Sequence, residues 1–151
     1  MAPRVDTRIW MEVPSELDSI EETVNRIVDY CLECPDDCHG RILLNFRVGL
    51  MEALANAILY GNGRDPGKRV RLEITARACS ITACITDEGP GFNPEAVPDP
   101  TRPSHLDREG GRGLFLMRKL MDEVHYNEQG NRVTLVLRLQ EFAQEQEEAR
   151  A

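Results

Sequence analysis

Apolar positions recur with two periods in the first sixty residues, and these periods predict the first three elements of the fold. Residues 8–13 alternate between polar and apolar side chains, which predicts a strand. Over residues 17–31 apolar side chains recur at helical spacing, and Ser15 is expected to cap this first helix. Residues 41–60 predict a second helix. It is apolar around most of its circumference, so we expect most of it to be buried.

Short strands dominate the rest of the chain, after a glycine-rich break at 61–67. The pattern predicts a hairpin of 68–77 and 79–86, a short helix at 113–121, and a second hairpin of 125–128 and 132–139. The order β-α-α-β-β-loop-α-β-β predicts an α+β fold. We expect a two-layer sandwich in which a mostly antiparallel mixed sheet carries its helices on one face. The order does not fit a Rossmann fold, because the glycine clusters lie outside any βαβ unit.

Size and charge narrow the classes of function. With 151 residues the chain is long enough for one domain with one substantial core. Its net charge of −8 argues against direct binding to nucleic acid, which needs a basic surface. We find no apolar stretch that approaches a membrane span and no apolar signal-peptide core at the N-terminus. A cytoplasmic location and no membrane partner are therefore expected.

The five cysteines do not suggest a closed disulfide framework, because their number is odd. Cys79 and Cys84 are interpreted as small core residues. The spacing of Cys31, Cys34, Cys38 and His39 allows a metal site, but no second half of such a site follows. Cysteines around a helix end and its loop are therefore the favoured interpretation of this segment.

One narrow polar stripe crosses the predicted second helix. At about 100° per residue, Asn45, Gly49, Glu52 and Asn56 fall within roughly 60° of one another. A carboxylate in an apolar helix is costly to bury without a partner, so Glu52 either pairs with an arginine, faces solvent or has a function. We favour a functional stripe. The amide oxygen of Asn56 suits Mg²⁺, and Glu52 could accept a proton from a group attacking a phosphate.

Two glycine clusters suggest a bound nucleotide. The first, 87–91, closes an apolar strand with an acid, and the second, 110–113, opens a helix. Glycine lets the backbone approach a ligand closely. Taken singly, the first cluster could be an ordinary turn and the second a hinge, but neither interpretation predicts the other cluster. The polar segment 93–109 between them is long enough to be functional.

Three segments together resemble the GHKL (Bergerat-fold) ATP-binding superfamily: EALANA at 52–57, DEGPGF at 87–92 and EGGRGL at 109–114. The match is closest to its small bacterial branch, the anti-sigma-factor serine/threonine kinases, and spans about residues 8–140. Many relatives carry a histidine before the glycine that ends the second helix, where this chain has Tyr60.

The resemblance implies a role for each matching residue. Glu52 would be the catalytic general base, and Asn56 would bind the metal, a Mg²⁺ ion that bridges the phosphates of ATP. Asp87 would accept a hydrogen bond from the adenine amino group, with Gly89 and Gly91 lining the base pocket.

The resemblance also implies a phosphate-binding segment and a lid. Gly111 and Gly113, with Arg112 and Leu114 beside them, would hold the cofactor's phosphates at a helix start, where free N–H groups favour anions. The segment 93–109 would form the ATP lid. The arginine that reaches the phosphates could be Arg112, Arg108 or Arg102, and the sequence does not choose among them.

The function implied is that of an ATP- and Mg²⁺-dependent serine/threonine protein kinase and anti-sigma factor. It would phosphorylate a small antagonist protein, bind a sigma factor and form a homodimer. The kinase domain would comprise 8–140, followed by an acidic tail at 141–151. An alternative is a nucleotide-binding module that sequesters a sigma factor or another signalling partner without phosphotransfer. A simple ATPase is a third possibility.

Overall fold

The computed structural model describes residues 7–33, 39–96 and 111–139. Within these ranges the strands are β1 (Thr7–Pro14), β2 (Arg69–Ala76), β3 (Ser80–Thr86), β4 (Glu123–Tyr126) and β5 (Arg132–Arg138). The helices are α1 (Ser19–Cys31), α2 (His39–Gly61) and α3 (Gly111–Leu120), with a 3₁₀ turn at Pro94–Ala96. Helix α2 is α-helical over Arg47–Asn56 and has a π-helical turn on each side, Ile42–Phe46 and Ala57–Gly61.

The five strands form one sheet in the order β1-β2-β3-β5-β4, and every neighbouring pair is antiparallel. The register places Ile74 beside Ile9 and Ala83, so one face of the sheet is apolar. The other face carries exposed residues such as Trp10, which pairs with Glu73. The predicted α+β sandwich and the predicted order of elements are confirmed.

The core lies between the apolar face of the sheet and the helices. Helix α2 packs between α1 and α3 and contributes Phe46, Leu50, Leu54 and Ile58, none of which has any exposed surface. Burying a side chain of this size stabilises the fold by about 1.5–3 kcal/mol relative to leaving it exposed. The burial holds α2 firmly against the sheet, and with it the polar stripe.

Three expectations from the sequence are wrong. Ser15 does not cap α1, which begins at Ser19; it is buried instead, where its hydroxyl donates to the carbonyl of Lys68 at 2.7 Å. Cys79 is not a core residue, because it lies in the exposed turn between β2 and β3. Cys84 is half-buried on the outer face of the sheet, 3.5 Å from the Thr134 hydroxyl, because its register position alternates away from the helices.

The expectation that no apolar segment approaches a membrane span also needs correction. Helix α2 has 23 residues and is long and apolar enough to pass a test of length and composition. Its packing against α1, α3 and the sheet explains that composition, because the central helix of a two-layer domain is apolar on several sides.

Some predictions fall outside the described residues. These are Cys34 and Cys38 of the cysteine cluster, most of the expected lid and the acidic tail. The two other members of the cluster are described: Cys31 is buried at the end of α1, and His39 begins α2.

Candidate functional site

A pocket of about 250 Å³ opens between the C-terminal half of α2, the start of α3 and the ends of β3, β4 and β5. Four residues singled out in the sequence line it: Asn56, Asp87, Gly91 and Leu114. Tyr60, which stands where many relatives carry a histidine, also lines it. So do residues to which the sequence assigned no role in a site: Gly61, Phe92, Tyr126, Gly130 and Asn131. One pocket therefore joins the polar stripe of α2 to the strand-end glycine cluster.

Glu52 and Asn56 lie one turn apart on α2 and face the start of α3. A methyl group at position 113 would lie 2.9 Å from Oε2 of Glu52 and 3.1 Å from Nδ2 of Asn56. The missing side chain of Gly113 therefore leaves space beside both polar groups. Burial raises the pKa of the Glu52 carboxyl above its ordinary value, which makes it a stronger proton acceptor once ionised.

Asp87 follows β3 and is held from both sides. Its backbone N–H donates to the carbonyl of Asn131 at 2.9 Å, and its Oδ1 accepts the backbone N–H of Gly89 at 2.8 Å. Burial raises the pKa of the Asp87 carboxyl, while the Gly89 bond and the charge of Lys68 act in the opposite direction. A carboxylate fixed in this way at the pocket wall can accept a hydrogen bond from a ligand amine.

Gly91 and Gly130 lie where the two turns that border the pocket pack closely against each other. Both have positive φ angles, 82° and 81°, which a residue with a side chain adopts at a cost. A Cβ on Gly91 would overlap the carbonyl of Gln129, and one on Gly130 would overlap the carbonyl of Phe92. The sequence predicted a turn at 129–131 but gave no sign of its contact with the first glycine cluster.

Tyr126 and Phe92 form an aromatic wall of the pocket. Their rings meet edge to face, with centroids 5.0 Å apart and planes at 79°. Burial raises the pKa of Tyr126 to about 12, so its hydroxyl keeps its proton at neutral pH. The sequence placed Tyr126 in a strand, and nothing in its alternation distinguished it from a core residue.

Of the other predicted residues, those that the structure describes do not line this pocket. Gly89 is buried against the carbonyl of Gly61, Gly111 is the first residue of α3, and Arg112 is exposed on its first turn. Arg102 and Arg108 lie outside the described residues.

Asn45 and Gly49, the first two members of the polar stripe, contact the end of α3 and not the pocket. Asn45 donates from Nδ2 to the carbonyl of Leu120 at 2.7 Å, and Gly49 lies against the Met121 side chain. Both contacts pack α2 against the end of α3. Of the other two members of the stripe, Asn56 lines the pocket, and Glu52 lies one turn away beside Gly113.

The described parts of the chain contain no group of three or more His, Cys, Asp and Glu side chains placed to hold a metal ion.

Comparisons with known proteins identify a family and several relatives. A family model described as "Histidine kinase-like ATPase domain" matches residues 13–137. The chain is 31% identical over 91 residues to a protein named "Serine-protein kinase RsbW" from Oceanobacillus iheyensis, covering 56% of this chain and 58% of that protein. It is 32% identical over 97 residues to "Anti-sigma F factor" from a Geobacillus species, covering 62% of this chain and 66% of that protein. A Bacillus subtilis protein, also named "Serine-protein kinase RsbW", is 31% identical over 86 residues, or 54% of its length. The chain thus spans between half and two thirds of these relatives.

Proposed function

The chain belongs to the histidine kinase-like ATPase family, and on that premise we propose that it binds ATP and transfers the γ-phosphate to a serine or threonine of a small partner protein. The names of its relatives, serine-protein kinase and anti-sigma F factor, support this branch of the family. The kinase domain we propose comprises residues 8–140, with 141–151 as an acidic tail.

The observation that carries the proposal is the placement of Glu52. Its carboxylate lies one helical turn from Asn56, beside the open position of Gly113, while Asp87 lies at another wall of the pocket that Asn56 lines. A nucleotide with its base at Asp87 and its phosphates at the start of α3 would bring the γ-phosphate toward Glu52. Free N–H groups at a helix start favour phosphate.

In this proposal Glu52 accepts the proton of the attacking hydroxyl. The hydroxyl oxygen then bonds to the γ-phosphorus as the bond from that phosphorus to the ADP oxygen breaks. A general base works best when its pKa is near the working pH, and burial moves the pKa of Glu52 in that direction. Half-burial also keeps the carboxylate accessible to a protein substrate.

The residues present fit a Mg²⁺ ion at the phosphate end of the proposed site. Mg²⁺ prefers oxygen ligands and keeps waters and substrate phosphates in its shell. The Asn56 side chain lies beside the space left by Gly113 and can supply one such oxygen. The ion would neutralise phosphate charge during transfer.

The base end of the site would be formed by Asp87, Gly89 and Gly91. Asp87 would accept a hydrogen bond from the adenine amino group, and its fixed backbone and side chain support a single orientation. Gly111, Arg112, Gly113 and Leu114 would border the phosphates from α3. Segment 93–109 would act as the lid, with the phosphate-contacting arginine among Arg102, Arg108 and Arg112.

For partners we propose a sigma factor and a small antagonist protein that carries the phosphorylated serine. The anti-sigma name of a relative supports the first, and the serine-protein kinase names support the second. We further propose a homodimer in the cytoplasm, which sedimentation of the purified chain and fractionation of cells would test.

Phosphotransfer is the direct test. The chain would be incubated with labelled ATP, Mg²⁺ and candidate antagonist proteins, beside Glu52→Gln and the control Glu73→Gln on the exposed outer face. We expect label on a partner serine with the wild type and the control. Glu52→Gln should lose about 10²–10⁴-fold in rate and keep its ATP affinity.

Two other results would change the conclusion. Equal transfer by Glu52→Gln would remove Glu52 from the mechanism. Tight binding of ATP and partner without any transferred label would favour the nucleotide-binding interaction module.

A further inference from the structure

Asn62 has a buried polar side chain at a position where the sequence indicated only a turn. It directly follows α2 and is 3% exposed; among the described residues, Ser15 is the other polar side chain buried to this degree. Burying an amide costs free energy unless its hydrogen bonds are made. The hydrogen-bond partners of Asn62 therefore indicate which parts of the fold its buried amide holds in place.

The amide of Asn62 makes three hydrogen bonds to three parts of the fold. Its Oδ1 accepts the backbone N–H of Glu88 at 2.7 Å. Its Nδ2 donates to the Ser15 hydroxyl at 3.0 Å and to the carbonyl of Arg69 at 3.1 Å. Since the N–H of Arg69 donates to a carboxylate oxygen of Glu88 at 2.6 Å, the bonds among Asn62, Arg69 and Glu88 form a closed ring. The ring joins the first residue of β2 to the turn after β3, and Asn62 connects it to Ser15, the residue after β1.

The bond to Glu88 acts on the neighbouring residue. The N–H of Glu88 and the carbonyl of Asp87 belong to the same planar peptide unit, so Asn62 holds the peptide on the C-terminal side of Asp87. The peptide on its N-terminal side is held by the Asp87 N–H bond to the carbonyl of Asn131 at 2.9 Å. With both flanking peptides fixed, the direction of the Asp87 Cα–Cβ bond is set, and the bond from the Gly89 N–H to Oδ1 then orients the carboxylate.

We propose that Asn62 is a positioning residue for base recognition: by holding the peptide between Asp87 and Glu88, it aims the Asp87 carboxylate at the amino group of a bound purine. The inference rests on the proposed ATP site. It adds a specificity-determining residue that makes no contact with the nucleotide. A purely structural role would instead affect folding stability and leave the choice of base unchanged.

Nucleotide preference separates the two roles. The affinities of the folded protein for ATP and for purine riboside triphosphate, which lacks the 6-amino group, would be compared by calorimetry. Asn62→Ala removes the acceptor of the Glu88 N–H, and we expect it to lower the preference for ATP by about tenfold, the effect of one lost hydrogen bond. Ser15→Ala is the matched control, because it removes another hydrogen-bond partner of Asn62 and leaves the bond to Glu88. It should lower the melting temperature and keep the preference.

Asp87→Asn completes the experiment. Combined with Asp87→Asn, Asn62→Ala should change the preference little, because both substitutions act through one carboxylate. One result would contradict the positioning role and leave the proposed site intact. In that result the wild type prefers ATP, Asp87→Asn loses the preference and Asn62→Ala keeps it. If the wild type binds neither nucleotide, the proposed function itself fails.

Amide exchange tests the inference without any substitution, which matters if Asn62→Ala does not fold. Coupling between two binding events is reciprocal. If the Asn62–Glu88 bond favours ATP, saturating ATP must slow exchange of the Glu88 amide by the same factor, about tenfold. Purine riboside triphosphate should slow it less. Equal exchange rates with and without ATP would overturn the proposal.

Discussion

The backbone of Gly61 lies directly against the carboxylate of Asp87. A Cβ at position 61 would overlap Cγ of Asp87 and lie 2.7 Å from its Oδ1. Gly89 closes the same contact from the other side, because a Cβ there would overlap the carbonyl of Gly61. The end of α2 and the turn after β3 are therefore interlocked, and the position of Asp87 depends on the absence of a side chain at 61.

We therefore expect Gly61→Ala to weaken ATP binding. The added methyl group would displace the Asp87 carboxylate, which is itself held by the Gly89 N–H and cannot shift freely. A loss of about tenfold in affinity corresponds to the loss of one hydrogen bond to the base. Titration calorimetry with ATP measures the effect directly.

Gly40→Ala is the matched control, because position 40 is also in α2 and a Cβ there has no atom within 4 Å. It should leave ATP affinity unchanged. If Gly61→Ala binds ATP as tightly as the wild type, the Asp87 carboxylate is not in the base contact that we propose.

Gly113→Ala should separate stability from activity. Alanine in a helix is favoured over glycine by about 0.5–1 kcal/mol, so the free energy of unfolding should stay the same or rise. The new methyl group would lie 2.9 Å from Oε2 of Glu52 and 3.3 Å from Oδ1 of Asn56, which forces both side chains to move. A misplacement of about 1 Å in a catalytic group can cost about 10²-fold in rate.

Urea unfolding and phosphotransfer to the partner protein would be measured on the same preparation. Gly40→Ala again serves as the control for the change in helix propensity. A Gly113→Ala variant with undiminished transfer would show that the space beside Glu52 and Asn56 is not used in the reaction.

The fold was largely predictable because its elements are local. The apolar positions Val24, Ile27 and Val28 recur at helical spacing, and all three are buried in α1. Strand β2 alternates as predicted, with Val70, Leu72 and Ile74 facing the helices. Each of these patterns depends on a single element and its burial, which a sequence displays directly.

The site was only half predictable because much of it is made by contacts between distant segments. Glu52 and Asn56 form a stripe within one helix, which periodicity reveals. The placement of Gly61 behind Asp87 and of Gly130 against Phe92 depends on how separate turns pack, and no local pattern records that. Ser15 shows the same limit, since a tertiary bond to Lys68 replaced the helix cap that its position suggested.

Asp122→Ala should destabilise the fold and spare the pocket. The Asp122 carboxylate accepts the backbone N–H of Arg138 at 2.6 Å and pairs with the Arg41 guanidinium at 3.2 Å. Arg41 and Asn56 are about 22 Å apart along α2 at 1.5 Å per residue. We expect the loss of about 1–3 kcal/mol in the free energy of unfolding, measured in urea, with ATP affinity unchanged.

Glu12→Ala is the comparison for that experiment. Glu12 forms a 3.7 Å pair with Arg71 in which both side chains are well exposed, 43% and 64%. Exposed pairs contribute only about 0–1 kcal/mol, so this variant should unfold close to the wild type. Equal effects of the two substitutions would mean that the backbone bond of Asp122 adds nothing to stability.

The Glu52 carboxyl should make stability depend on pH in a direction opposite to that of a salt-bridged acid. Burial raises its pKa above the ordinary value of 4.5, so the folded state holds this proton more tightly than the unfolded chain does. Well below pH 4.5 the carboxyl is protonated in both the folded and the unfolded state, so it does not change the free energy of unfolding. As the pH rises through the raised pKa, the folded carboxyl ionises in a partly apolar site, and the free energy of unfolding falls.

Glu52→Gln cannot ionise, so its stability relative to the wild type should increase from pH 4 to pH 8. Thermal unfolding across this range measures the difference, with Glu73→Gln as the control because that carboxyl is 56% exposed. The control measures what the same substitution does at an exposed carboxyl, and the Glu52→Gln difference should grow with pH beyond it. A Glu52→Gln difference that does not change with pH would show that the ionised carboxylate is not penalised, and the reason to regard Glu52 as a strengthened base would be lost.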